Sequence, residues 1–198
     1  MLPILYSFRR CPYAMRARMA LIRSNFQVEL REVVLRNRPS HMMHISPKGT
    51  VPVLLLPDGT VIEESLEIMK HVLNWELSGD EERWVERNDG EFKYHLDRYK
   101  YPNRFEGVDG QQERTLASSY LNDLNDVLSG PTHISQALSD ALFPFIRQFA
   151  HHDEAWFYAQ SWDSIHSWLD HHLESEAFEI CMKKEKPWIE GQVGIQFP

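Results

Sequence analysis

Hydrophobic and polar positions divide this chain into two kinds of pattern. Residues Ile4 to Phe8 read as a short buried strand. After Cys11-Pro12, apolar Ala14, Met15, Ala17, Met19, Ala20, Leu21 and Ile22 follow at helical spacing. Pro12 suits a first helical turn, where its missing N–H is no loss. From Phe26 to Leu35, apolar residues alternate with charged ones, which predicts a second, partly exposed strand. A link containing Pro39 and Pro47 leads to Val51-Pro52-Val53-Leu54-Leu55-Leu56, then the turn Pro57-Asp58-Gly59, then Thr60-Val61-Ile62, which together read as a hairpin. Ser65 then stands at or near the N-cap of a helix carrying Leu66, Ile68, Met69, Val72 and Leu73. The predicted order is βαβ-α-ββα.

Ser78-Gly79-Asp80 breaks this pattern, and helical periodicity without a convincing strand dominates to about residue 185. Leu116, Tyr120, Leu124 and Leu128 form one stripe, Leu138, Leu142, Phe145 and Phe149 a second, and Tyr158, Trp162, Ile165 and Leu169 a third. These predict a helical bundle with its own core. The expected organisation is therefore an α/β domain over 1–77 and an all-α domain over 78–198, in keeping with a chain of 198 residues.

Charge narrows the partners. With 21 Lys+Arg against 29 Asp+Glu the net charge is -8, a poor match for nucleic acid. Arg9, Arg10, Arg16, Arg18 and Arg23 nevertheless gather near the N-terminus, a local field suited to a small anionic ligand. No run approaches the roughly 20 apolar residues that cross a bilayer, so no membrane partner is expected. The two cysteines, Cys11 and Cys181, lie far apart, as in proteins of a reducing compartment such as the cytoplasm. Ten histidines include the pairs His151-His152 and His171-His172, but the spacing lacks a His-x-x-x-His pair or a cysteine companion, so no metal site is expected.

The residue with the most chemistry is Cys11. At a helix start, unpaired N–H groups and the macrodipole favour thiolate over thiol, which makes a nucleophile. By position alone, Cys11 reads equally well as a small buried apolar residue. Neighbouring motifs decide between the two.

Cys11-Pro12-Tyr13-Ala14 resembles the Cys-Pro-Tyr-Cys centre of glutaredoxins with its second cysteine replaced by Ala14. The runs Leu5 to Arg18, Ser46-Pro47-Lys48-Gly49-Thr50-Val51-Pro52-Val53-Leu54 and Glu64-Ser65-Leu66-Glu67-Ile68, in that order and spacing, resemble the N-terminal domain of glutathione S-transferases. The branch most resembled is the cysteine type, which includes omega-class transferases and the bacterial two-domain glutaredoxin. The resemblance implies a thioredoxin-like N-terminal domain, glutathione as co-substrate, Cys11 as catalytic nucleophile and a homodimer. It assigns Pro12 and Tyr13 to the glutathione site and implies a cis Val51-Pro52 bond, with the Val51 backbone pairing with the cysteinyl part of glutathione. Glu64 and Ser65 match positions that hold the γ-glutamyl end, where a helix start offers N–H groups to a carboxylate and Glu64 meets the ammonium. Lys48 reads either as a partner for the glycyl carboxylate or as a solvated lysine beside a surface turn.

Without a second cysteine at position 14, a local disulfide is unavailable, and Cys181 is too remote in sequence to stand in. The chemistry expected is a monothiol cycle: mixed disulfide at Cys11, release by a second glutathione. This means thiol transfer, deglutathionylation or dehydroascorbate-type reduction, with an unidentified disulfide or small electrophile as partner. The alternatives are a conjugating or isomerising transferase, in which Tyr6 or Ser7 would activate the glutathione thiol, and a non-catalytic scaffold for protein partners. The resemblance also places a second-substrate pocket against the helical domain, where Tyr94, Arg98, Tyr99, Lys100 and Tyr101 lie on a candidate helix; aromatic residues at that spacing are more often core. One departure from the family falls at the helix start near Ser135-Gln136: Gln136 and Ser139 occupy the capping-box positions, which leaves Ser135 to cap.

Overall fold

The computed structural model describes residues 1–131 and 133–198. Its elements run β1 (Ile4–Ser7), α1 (Pro12–Ser24), β2 (Val28–Glu32), α2 (Ser40–Ile45), β3 (Val53–Leu55), β4 (Val61–Ile62), α3 (Ser65–Leu73), α4 (Gly79–Arg87), α5 (Lys93–Lys100), α6 (Gly110–Ser129), α7 (Gln136–Ala150), α8 (Glu154–Tyr158), α9 (Asp163–Leu173), α10 (Glu176–Met182) and β5 (Ile195–Phe197). They form two compact units, Met1–Glu76 with Ser175–Pro198, and Leu77–Glu174.

The first unit is a mixed sheet of order β4-β3-β1-β2-β5. β1 and β2 are parallel, joined through α1; the other neighbours are antiparallel. The apolar positions read from the sequence build two core clusters. Leu5, Ala17, Leu21, Val28, Leu30, Leu54 and Ile68 form one. Tyr6, Ala14, Val33, Met42, Val51 and Val53 form the other, with Cys11 packed against it. This alternation of Leu5 and Tyr6 follows from the period of two along a strand, which turns neighbours to opposite faces. Asn25 and Asn74 close α1 and α3 in the left-handed conformation, which Asn tolerates better than most residues.

Two differences from the sequence reading concern the first unit. The predicted strands are trimmed, to Val28–Glu32 and Val53–Leu55. More consequentially, the C-terminal segment is not helical throughout: α10 packs on α1, and Ile195–Phe197 pair with β2 as a fifth strand. Phe197 thereby enters the first core cluster.

The second unit is all helical. Phe92, Leu96, Tyr120, Leu124, Leu142, Phe145 and Phe149 are buried in it. The stripe on α6 runs through Ala117, Tyr120, Leu121 and Leu124, one position round from the expected line, and leaves Leu116 exposed. The stripe 138/142/145/149 lies wholly inside, whereas Tyr158 of the third stripe is exposed. Between α4 and α5 the chain makes a π-helical turn at Asn88–Phe92, which spans Gly90. Ser135 does cap α7, accepting from Leu138 N at 3.1 Å. That frees Ser139 and Asp140 for the interior, where Ser139 Oγ lies 2.7 Å from His172 Nε2 and accepts from Trp168 Nε1 at 2.7 Å.

Candidate functional site

Cys11 is the N-cap residue of α1, with extended backbone and Pro12 in the first turn; its side chain makes no capping bond. A tight turn puts it there, because its N–H donates to the Phe8 carbonyl at 2.9 Å while its own carbonyl receives Met15 N at 2.9 Å. The sulfur is therefore not spent on the helix it begins. It lies 3.7 Å from the Val51 carbonyl, to which the thiol donates, and it is half-buried.

Val51 precedes Pro52 through a cis peptide bond, as the resemblance implied. Both residues are buried at the mouth of β3. Cys11 and Val51, 40 positions apart in sequence, are thus brought together.

Glu64 is the N-cap of α3 and Ser65 its first residue; Glu64 makes no side-chain cap bond. Lys48 Nζ donates to Glu64 Oε1 at 2.7 Å, and that bond, more than the nearby Glu63 charge, pushes the Lys48 ammonium pKa up. Ser46 Oγ donates to Glu63 Oε1 at 2.6 Å, which ties the end of α2 to the start of α3. Lys48 and Glu64, candidates for opposite ends of one ligand, are here partners of each other. A dipolar ligand would have to exchange that exposed, solvent-screened pair for its own charges.

Sequence reasoning did not single out Arg16 for the site, although it counted it in the basic cluster. Fully buried, it reaches from α1 to within 3.5 Å of Ser65 Oγ and stands 5.8 Å from the Tyr13 ring centroid. A buried cation beside the start of α3 adds to the attraction for an anion there. The available signal was the pair Arg16 and Arg18 in a run otherwise filled with Ala and Met.

Tyr6 and Ser7 are both 0% exposed. The Tyr6 hydroxyl is engaged by His41 Nδ1 at 2.6 Å and by Arg31 Nη1 at 2.7 Å. Burial pushes its phenol up, and Arg31 offsets this only in part. Cys181 is fully buried, its thiol 3.8 Å from the Met15 carbonyl.

The residues expected to line a second-substrate pocket separate. Tyr94 is 51% exposed and stacks under the Arg98 guanidinium, 3.4 Å from the ring centroid, with Phe105 at 4.4 Å. Tyr101 faces Arg104 instead. Tyr99, only 7% exposed, packs against Phe149 and His152, so it is a core residue of its unit and not a surface contact. Helical geometry accounts for the split: positions 94 and 98 share a face, and 99 lies about 100° away from 98. Among the described residues, no three His, Cys, Asp or Glu converge to hold a metal ion, and no helix is long and apolar enough to cross a membrane.

The family model for "Glutathione S-transferase, N-terminal domain" matches residues 5–77. A probable glutathione transferase of Aplysia californica is 40% identical over 55 residues, 28% of this chain and 60% of that protein. Glutathione S-transferase omega-1 of Rattus norvegicus is 38% identical over 61 residues, 31% of this chain and 25% of that protein. The match thus spans a quarter to three fifths of these relatives. Among solved structures, a glutathione transferase of Phanerochaete chrysosporium in complex with oxidised glutathione superimposes with a TM-score of 0.77 at 12% identity, covering 91% of this chain and 94% of its own. Glutathione transferase Omega 3C of Trametes versicolor gives 0.73 at 18%, covering 94% and 91%. The structural likeness concerns the fold, while the family-model match covers the segment that holds Cys11, Val51 and Ser65. Residues 5–77 match the glutathione S-transferase N-terminal domain, and the chain has the fold of the glutathione transferase structures it resembles.

Proposed function

We propose that this protein is a glutathione-dependent thiol transferase of the cysteine type, with Cys11 as nucleophile and glutathione as co-substrate. The observation that carries the reading is the place of Cys11: a half-buried thiol at a helix start, donating to the Val51 carbonyl at 3.7 Å beside the cis-proline. The omega-1 relative and the structures named for glutathione transferases support the same substrate. In the proposed site the Val51 backbone pairs with the cysteinyl part of glutathione, which lays its sulfur beside Cys11. The first-turn amides of α3, Ser65 and buried Arg16 receive the γ-glutamyl carboxylate, Glu64 meets the ammonium, and Lys48 turns to the glycyl carboxylate. Pro12 and Tyr13 complete the wall next to the sulfur.

The Cys11 thiolate attacks the glutathione sulfur of a mixed disulfide. A Cys11–glutathione disulfide forms, and the substrate sulfur leaves with the electron pair and takes a proton from solvent. A second glutathione thiolate attacks the glutathione sulfur of that intermediate, which releases oxidised glutathione and regenerates the Cys11 thiolate. No second protein cysteine is required. The competing route, in which Tyr6 or Ser7 activates glutathione for conjugation, is disfavoured: both side chains are inaccessible, and the Tyr6 hydroxyl is engaged by Arg31 and His41. Tyr94 and Arg98 are the proposed contacts to the second substrate in the helical unit. A homodimer, which rests on the resemblance, and a cytoplasmic location, which rests on the cysteine usage, belong to the same reading.

Replacing Cys11 by Ser tests the proposal. Turnover of a glutathione mixed disulfide should be lost while calorimetry still detects glutathione binding. Undiminished turnover in Cys11→Ser removes the assignment, and an absence of binding at millimolar glutathione in the wild type favours the scaffold reading.

A further inference from the structure

The segment after α10 crosses the first unit and makes contacts that the proposed chemistry does not use. Trp188 N donates to the Glu32 carbonyl at 2.7 Å. Its ring meets the Tyr6 ring edge-on at 6.1 Å and lies 4.3 Å beneath the Arg31 guanidinium. Two residues on, the Glu190 carboxylate accepts from Ser40 N and from His41 N, each at 3.2 Å, and from the Ser40 hydroxyl. These are the leading amides of α2, whose own N-cap residue is Pro39 and provides no side-chain acceptor. A carboxylate 150 positions away in sequence thus does the work that Ser, Thr, Asp or Asn usually does locally.

The segment is anchored again further on. Gly194 N donates to Glu29 Oε1 at 2.9 Å, and Ile195–Phe197 pair with β2. A Cβ on Gly194 would stand 2.5 Å from the Leu30 carbonyl oxygen, so only glycine permits this approach. Glu29 also holds Arg31 at 2.7 Å, Arg31 holds the Tyr6 hydroxyl, and Tyr6 meets His41 of α2. The contacts close a ring from the C-terminal segment through β2 and β1 to α2 and back. The bonds from Ser40 and His41 hold the Glu190 carboxyl below its usual range, the sign expected of a carboxylate serving as a cap.

On its other side α2 sets the segment that leads to Val51. Ser46 N donates to the Met42 carbonyl at 2.9 Å, and Gly49 N to the Ser46 carbonyl at 3.0 Å. Arg38, just before α2, donates to the Gly49 carbonyl. Gly49 stands at φ +63, and a Cβ there would meet Met43 Sδ at 3.1 Å, so α2 and this turn are in close contact. Displacing α2 would displace Lys48 and Val51.

We propose that residues 188–197 are a strap that caps α2 from outside through Glu190, making Glu190 a positioning residue for glutathione affinity. This rests on the proposed glutathione site, because the strap touches no reacting group and acts only through α2 and the 46–51 segment. The strap sets where the glycyl and cysteinyl parts of the ligand are read and leaves the Cys11 reaction itself untouched.

Two variants test this by different means. Glu190→Ala removes the cap, and Gly194→Ala lifts β5 at a point remote from α2. In both, hydrogen exchange of the 40–45 amides should accelerate about tenfold, and the KM for glutathione should rise about fivefold with kcat held within about twofold, the scale expected for a lost cap. Glu190→Gln keeps an acceptor oxygen at an exposed position and should recover part of both effects. Unaltered exchange in Glu190→Ala overturns the strap. Faster exchange with an unmoved KM overturns its link to glutathione while leaving the Cys11 cycle standing. A wild type without glutathione turnover overturns the cycle instead, and the exchange measurement then judges the cap by itself.

Discussion

Replacing Tyr6 by Phe removes one oxygen from the interior of the first unit, and its consequence separates two mechanisms. The hydroxyl accepts from Arg31 Nη1 at 2.7 Å and shares a second hydrogen bond with His41 Nδ1 at 2.6 Å. A hydrogen bond to a charged group contributes about 1.5–3 kcal/mol net and a neutral one about 1 kcal/mol. Arg31 is not orphaned by the change, because it keeps Glu29 at 2.7 Å and the Trp188 ring. The variant also no longer has to desolvate a phenol. The expected loss is therefore about 2 kcal/mol, below the sum of the two bonds. Urea unfolding should show a lowered midpoint at unchanged slope. Turnover of a mixed disulfide, corrected for folded protein, should stay within about twofold, since the lost bonds bear on stability and not on the transition state. A collapse of turnover with stability intact would refute this reasoning and assign the Tyr6 hydroxyl to the glutathione thiol.

Two further outcomes follow from the helical unit. The Tyr158 hydroxyl donates to Asp170 Oδ1 at 2.6 Å, and its pKa is pushed up to about 12, first by burial and then by Asp170. A phenol raised above its unfolded value keeps its stabilising contribution below about pH 10 and loses it between about 10 and 12. One tyrosine should titrate late in phenolate absorbance, and Tyr158→Phe should both remove that step and flatten stability across the same interval. At the start of α7, Ser135→Ala should cost about 1 kcal/mol and Ser135→Gly only a few tenths. Equal midpoints for wild type and Ser135→Ala in urea would show that the Leu138 amide finds another partner.

How much of this was legible in the sequence depended on range. The helix starts at Cys11-Pro12 and at Ser65 are local signals, a few residues whose types match one backbone geometry, whereas the cis Val51-Pro52 bond was reached only through the resemblance, an X-Pro bond being usually trans. The split among Tyr94, Arg98 and Tyr99 was harder, because 94, 98 and 99 all fit a helix and only packing decides which face is buried. On α6 the same difficulty displaced the stripe by one position, from Leu116 to Ala117. β5 left almost no trace, being three residues long and stabilised by pairing with a strand about 165 positions earlier. Glu190 as the cap of α2 was invisible for the same reason: its residue type is ordinary on a surface, and its partners lie 149 and 150 positions away. Lys48 and Glu64 were candidates for a ligand; in the protein alone each neutralises the other.

The most direct test of the cysteine-type cycle is intact-protein and peptide mass spectrometry after a single turnover with a glutathione mixed disulfide, quenched before a second glutathione is added. The cycle predicts one glutathione adduct, on the peptide that contains Cys11, with Cys181 unmodified because it is 0% exposed. Adduct confined to Cys181, or turnover with neither cysteine modified, would contradict it.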